Sequence, residues 1–325
     1  MGPIRRFMEE QFLHFNARET LEAAQAYEAH VDAGGKMLVS LAGAMSTAEL
    51  GISLGRMIRA GKVHAISCTG ANLEEDVFNL LSHDEYMAVP AWRTLSPMDE
   101  KALYDRGMNR VTDTCIPEGV MRHVEARILD GWSVACRQNV RRFPYEFIYE
   151  VLDDPKLWGL FQADPENSWL LAAKEEGIPV YTPGWEDSTL GNMFSANVKM
   201  GKLPHHQCVK TGTEQFQHLM DWYLENNGEA EGLPSVGFLQ IGGGIAGDFA
   251  ICVVPSLIQD LRQTVPFWGY FCQITDAEVS YGGYSGAVPN EKISWGKLEV
   301  DTPKFLVNSD ASIVAPLIFG YVLGD

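Results

Sequence analysis

The chain has 325 residues, 46% of them hydrophobic, which suffices for one large buried core and excludes a fibrous or disordered protein. Its net charge of −18, from 43 acidic against 25 basic residues, would repel nucleic-acid phosphates and suits a cationic ligand. No stretch approaches the ~18 uninterrupted apolar residues of a membrane span, and the start, Met1-Gly2-Pro3-Ile4-Arg5-Arg6, lacks a signal peptide's apolar core, so a cytoplasmic location without membrane contact is expected. Cys68, Cys115, Cys136, Cys208, Cys252 and Cys272 are scattered, with no C-x-x-C, and read as reduced core thiols rather than metal ligands or disulfides.

Residues 1–35 read as an N-terminal helical segment. Asn16 is placed to cap a helix running to about Val31, with Leu21, Ala24, Tyr27 and Val31 on one stripe and Gly34-Gly35 as the stop. From residue 36 onward one arrangement recurs, a short apolar run that ends in a loop of Gly, Ser, Thr or Asp. The runs are residues 37–41, 63–67, 178–181, 236–241, 267–274 and 305–307. Segments this short and apolar on both faces predict parallel strands under helices on each side, a Rossmann-like α/β fold of one large domain over 36–325. Ligands bind such sheets at the carboxyl ends of the strands. Residues 82–164 predict helices with long connections; 213–225 and 255–264 predict further helices.

The strand-end loops carry the candidate chemistry. Glu74-Glu75-Asp76, after the second run, reads either as a helix N-terminus favoured by its dipole or as carboxylates that grip ribose hydroxyls or an ammonium. Gly242, Gly244 and Gly247 fit G-x-G-x-x-G, with Asp260 near the expected place of a ribose acid, but they lie past residue 240 and Asp248 follows at once. The broader reading is that these glycines let backbone approach a ligand closely. His205-His206 has no third ligand at a telling spacing and reads as a surface loop, with no metal expected. Lys297, behind Trp295-Gly296 and before a strand-like run at 298–300, is the best candidate for a covalent catalyst. An amine attacks only when neutral, and a neighbouring indole offers an apolar wall.

Six of these motifs together resemble deoxyhypusine synthase, over most of the chain from about Lys36 to Phe319. They are Thr69-Gly70-Ala71-Asn72-Leu73-Glu74-Glu75-Asp76, Asp187-Ser188-Thr189-Leu190-Gly191-Asn192-Met193, Gly242-Gly243-Gly244, Ser285-Gly286-Ala287, Ile293-Ser294-Trp295-Gly296-Lys297 and Asp310-Ala311-Ser312. The resemblance implies an NAD-binding α/β domain, a homotetramer with sites shared across a dimer interface, and a small polyamine substrate such as spermidine. It further implies that Lys297 forms an enzyme–substrate imine, that Thr69, Gly70, Ala71, Glu75, Asp187, Gly243, Asp310 and Ala311 contact NAD, and that Glu74, Glu291 and Trp295 line the amine pocket.

Departures from the family pattern fall in that pocket. Asn192 stands where the family has Asp, Asp248 where it has His, and Gly282-Gly283-Tyr284 replaces G-S-D. The loop Ala44-Met45-Ser46-Thr47 is also altered. The expected activity is therefore an NAD-dependent aminoalkyl transfer through a lysine imine on free polyamines, as in homospermidine formation. True deoxyhypusine synthesis is the alternative, and a catalytically inactive NAD-binding oligomer the alternative of another class.

Overall fold

Each of the six apolar runs becomes a strand of one sheet, because a segment apolar on both faces hides its side chains and pairs its backbone only between neighbours under two helical layers. The computed structural model describes residues 1–279 and 282–325. Its strands in chain order are β1 (Met37–Leu41), β2 (Ala65–Cys68), β3 (Met87–Ala88), β4 (Met108–Val111), β5 (Thr114–Pro117), β6 (Val180–Tyr181), β7 (Gly237–Ile241), β8 (Tyr270–Thr275) and β9 (Lys304–Asn308). The main sheet is parallel, in the order β6-β2-β1-β7-β8-β9. The chain thus moves outward from β1 to β6, then returns to the other side of β1 for β7. The order reverses between β1 and β7, the place where such sheets open a ligand crevice.

Alternate residues face opposite layers. Met37, Val39 and Leu41 join Tyr27, Leu54, Phe78 and Ile318 in one cluster, while Leu38, Phe238 and Phe271 join Leu219, Tyr223, Leu257 and Trp268 in the other. One polar rung breaks the second face: Ser67, Ser40, Gln240 and Gln273 sit side by side across four strands. All four are buried. The N-terminal helices Pro3–Gln11 and Phe15–Asp32 contribute Met8 and Tyr27 to the larger cluster, and the Tyr270 hydroxyl donates to the Ala23 carbonyl at 2.9 Å.

Four expectations change in detail. His14, not Asn16, occupies the cap of the helix Phe15–Asp32, since the Asn16 amide donates instead to the Asn308 carbonyl at 2.8 Å. The helix expected over 255–264 starts earlier, at Gly244–Ile251, continues through Val253–Pro255 and ends in a wide turn at Ser256–Asp260. Pro255 has no N–H to return to the Ile251 carbonyl, and the Trp268 indole donates to it at 3.1 Å instead. Residues 298–300 form no strand: Leu298 alone is buried, Val300 is exposed, and the Glu299 N–H donates to the Thr302 hydroxyl at 3.1 Å. The 82–164 region carries the expected helices, chiefly Pro97–Asp105, Glu118–Gln138 and Pro144–Leu152, and also a small antiparallel sheet β3-β5-β4.

Candidate active site

The segment around Lys297 is a short helix, Glu291–Ser294, closed by a glycine cap. Gly296 takes φ +68°, the Gly296 N–H donates to the Ile293 carbonyl and the Lys297 N–H to the Lys292 carbonyl, both at 3.0 Å. This nested pair is the Schellman arrangement, and it explains why glycine stands between Trp295 and Lys297. It also ties Lys292 to Lys297 through backbone, and both side chains enter one cavity.

That cavity, of about 300 Å³, is lined by Asp248, Tyr284, Glu291, Lys292, Trp295 and Lys297 among others. The Lys297 side chain is only 7% exposed, and its ammonium donates to the Asp248 carboxylate at 3.0 Å, an ion pair whose acid is half-exposed. The ring against Lys297 is Tyr284, 5.4 Å from the ammonium to the ring centroid; Trp295, expected as the apolar wall, is mostly exposed at the mouth. The Tyr284 hydroxyl donates to the Gln240 side-chain carbonyl at 2.6 Å, fixing the ring on the polar rung, and burial pushes its phenol well above the usual range. Asp248, read as a new anion for a substrate, instead engages Lys297.

The remaining carboxylates occupy different ground. Glu74 and Glu75 fall past the first turn of the helix Gly70–Ser82, whose cap is Thr69, so they do not serve its N-terminus. Glu74 accepts the Thr189 and Leu190 N–H groups at 2.9 and 2.7 Å, seating a buried carboxyl at the N-terminus of the helix Thr189–Lys199; burial raises its pKa and these bonds oppose the rise. It lines a separate small cavity with Trp132 and Trp185, away from Lys297. Glu75 accepts the Thr47 hydroxyl at 2.6 Å, and burial lifts its carboxyl to about 7. Asp76 is held by Ser168 and the Leu170 N–H. Asn192 lies exposed, its amide donating to the Glu186 carbonyl at 2.6 Å. Within one chain, then, Asp248, Tyr284, Glu291 and Trp295 gather round Lys297, while Glu74 and Asn192 do not.

Residues 7–322 match the deoxyhypusine synthase family. The chain belongs to that family. It is 30% identical to the deoxyhypusine synthase-like protein of Nostoc punctiforme over 97% of this chain and 78% of that one. Among solved structures it resembles a candidate deoxyhypusine synthase from Entamoeba histolytica, with 11% identity, a TM-score of 0.58, and 99% of this chain and 91% of the other covered. It also resembles the complex of AgrE with ornithine and NAD+, at 11% identity and a TM-score of 0.50, over 96% of this chain and 34% of that one.

Deoxyhypusine synthases use NAD, and the crevice at the strand reversal suits a dinucleotide. Gly43 after β1 and Gly244 after β7 both have positive φ, and a Cβ at either would meet nothing within 4 Å, so backbone faces open space there. Gly243, the glycine carried over by motif, is closed instead: a Cβ would stand 2.0 Å from the Ser285 hydroxyl oxygen. Gly70 is likewise packed, on Ser188. Gly247 lets its helix approach Gln240 on β7, whereas Asp260 sits in the last helical turn, accepting the Ser256 hydroxyl, and is no ribose acid at a strand end. Thr69, directly after β2, ties its loop to that of β1, its hydroxyl donating to the Gly43 carbonyl at 2.7 Å, with Ala71 partly buried in the first turn beyond it. Asp187 is exposed in the loop before the Thr189 helix, and Asp310 caps the helix Ala311–Leu323 beyond β9, accepting the Ser312 N–H at 2.8 Å.

Sequence reasoning missed Lys292, because a buried lysine and a solvated one look alike in sequence. Its one signal was the spacing of five residues to Lys297 across a Trp-Gly pair. Cys252 was read as a core thiol; it is half-buried and lines the Lys297 cavity, its thiol donating to Asp248 at 3.5 Å, while the other cysteines are buried and all are free. His205 and His206 lie in a loop, and among the described residues no group of three or more His, Cys, Asp or Glu is placed to hold a metal. No helix among them is long and apolar enough to cross a membrane.

Proposed function

We propose that this chain is an NAD-dependent aminoalkyl transferase that works through an imine on Lys297 and acts on free polyamines, in the manner of homospermidine formation. The observation that carries the reading is a lysine almost wholly buried, paired to one carboxylate, at the floor of a cavity with an exposed indole and a second carboxylate at its mouth. NAD, when bound, would supply a reversible hydride acceptor for the carbon beside the donor amine. The protein's residues do the rest. Tyr284 and Trp295 offer ring faces to a cationic chain, and Glu291 at the rim an anion for its far ammonium. A substrate cation that draws Asp248 away leaves Lys297 free to lose a proton and attack the imine carbon, releasing the leaving amine. The acceptor amine then displaces Lys297, and return of the hydride would leave no net oxidation.

Thr69, Ala71, Glu75, Asp187, Asp310 and Ala311 would serve the dinucleotide, beside the open backbone at Gly43 and Gly244. Glu74 and Asn192 would reach the amine only if a second copy completes the site, which fits a tetramer with shared active sites. The test is to incubate purified protein with NAD and a panel of amines and identify products by mass spectrometry. Aminoalkyl transfer between free amines, without stoichiometric NADH release, is the expected result. Equal use of a deoxyhypusine-precursor protein would favour the protein-modifying alternative, and the absence of any product would leave an inactive NAD-binding oligomer.

A further inference from the structure

Lys292 is the unexplained charge of this site. It is 2% exposed, on the sheet face beside the polar rung, yet no carboxylate lies within ion-pairing distance among the described residues. Among the described residues its amine reaches only neutral oxygens, the Gln273 side-chain carbonyl at 3.4 Å and the Ala287 carbonyl at 3.3 Å, and lies 5.1 and 4.9 Å from the ring centroids of Phe271 and Tyr284. Lys297 lies 5.4 Å from that same Tyr284 ring and holds Asp248. Among the described residues the ionisable groups around Lys292 are Glu291 on its own helix, exposed at the rim, Asp248 on the facing helix and Cys252 at its end, with Tyr284 and Lys297. Two lysine amines therefore lie in one cavity in which Asp248 is already engaged. Burial first, and the Lys297 cation second, bring Lys292 down to about 8.

We propose that Lys292 is a second imine-forming amine of this cavity, the one that meets an incoming aldehyde or imine while Lys297 is paired with Asp248. With an aldehyde the neutral amine adds to the carbonyl carbon and water leaves, giving Lys292–N=CH–R. With a protonated substrate imine the same attack expels the substrate's amine, and the proton balance is unchanged. The ligand class is a small carbonyl compound or imine of an alkylamine. The imine half rests on the transferase reading; the aldehyde half needs neither NAD nor a donor.

The experiment uses butanal with cyanoborohydride on the full chain at pH 7.5, without NAD or amine, and maps N-butyl groups by mass spectrometry. Lys292 should be labelled about tenfold faster than Lys297, whose ammonium is engaged by the Asp248 carboxylate. Lys292→Met and Lys292→Arg should lose that adduct, the first nearly isosteric, the second unable to supply a neutral amine. Asp248→Asn, which frees Lys297, should raise labelling of Lys297 about tenfold. Labelling of Lys297 first in the unaltered protein, or of neither lysine, overturns the inference. An adduct on Lys297 formed with NAD and a donor, but none from butanal on Lys292, would overturn it while leaving the transferase reading intact. The reverse pattern would do the opposite.

Discussion

Two charged regions flank the strand reversal, and they are built in opposite ways. On the β2 side, Glu74, Glu75 and Asp76 are buried and already bonded by the protein itself, to N–H groups, a threonine and a serine. On the β8 side, Lys292, Lys297, Asp248 and Glu291 surround open volume, and only one ion pair joins them. Buried carboxyls already bonded by the protein hold structure; under-satisfied charge beside a cavity is available for chemistry. In sequence the run of acids read either as a helix N-terminus or as carboxylates that grip a ligand, and the lysine behind Trp-Gly as the best candidate for a covalent catalyst. The variants that follow separate them.

The largest effect belongs to the cavity. Lys297→Arg should remove the aminoalkyl adduct trapped by cyanoborohydride with NAD and donor, a loss on the order of 10³-fold or more, because a guanidinium cannot become a neutral nucleophile. Thermal unfolding should barely change. Full turnover by this variant would take Lys297 out of the mechanism.

The acid cluster should respond in stability and in pH. Glu75 holds its proton to about 7 in the folded chain against an ordinary value of 4.5, chiefly through burial. The folded state is thus favoured below pH 4.5, and that contribution is lost as pH rises through 7. A gap of that size corresponds to on the order of 3 kcal/mol. Urea unfolding should accordingly fall in midpoint between pH 5 and pH 8, and Glu75→Gln should flatten the fall. An unchanged slope in the variant would mean that Glu75 is not the group responsible.

How much of this was legible in the sequence follows the same division. All six strands of the main sheet could be read, because a parallel strand buried on both faces leaves a continuous apolar run, and Met37 to Leu41 is one. The β3-β5-β4 sheet could not, since strands of only two to four residues, of which β5 alone is mostly buried, are too short to show a period. In the site, Lys297, Glu291, Trp295, Tyr284 and Asp248 were legible by motif and do converge. The partnership of Glu74 with a helix more than a hundred residues away, and the burial of Lys292, depend on packing that no local pattern records.

Gly296 tests the geometry that joins the lysines. At φ +68° an alanine is strained, and Gly296→Ala should cost roughly 1 kcal/mol or somewhat more in unfolding free energy. It should also lower the rate of trapping on Lys297 by about tenfold, since a lysine displaced by even 1 Å loses its line of attack. NAD affinity should hold, because the strand-end loops do not depend on this turn. A parallel loss of NAD binding would show that the two regions are not independent.

The smallest effect separates a cap from a contact. Asp310 accepts both the N–H and the hydroxyl of Ser312, at 2.8 and 2.7 Å, so it stabilises the helix Ala311–Leu323 whatever else it does. Asp310→Ala removes an N-cap and should cost ~1 kcal/mol, whereas Asp310→Asn keeps an acceptor oxygen at the cap and should leave the melting temperature of the free protein nearly unchanged. If the carboxylate also receives ribose hydroxyls, both variants should show a smaller rise in melting temperature at millimolar NAD, because a ligand held only by the folded state stabilises it in proportion to its affinity. An Asn variant that keeps the whole NAD-dependent rise would confine Asp310 to capping and leave the dinucleotide to the open backbone at Gly43 and Gly244.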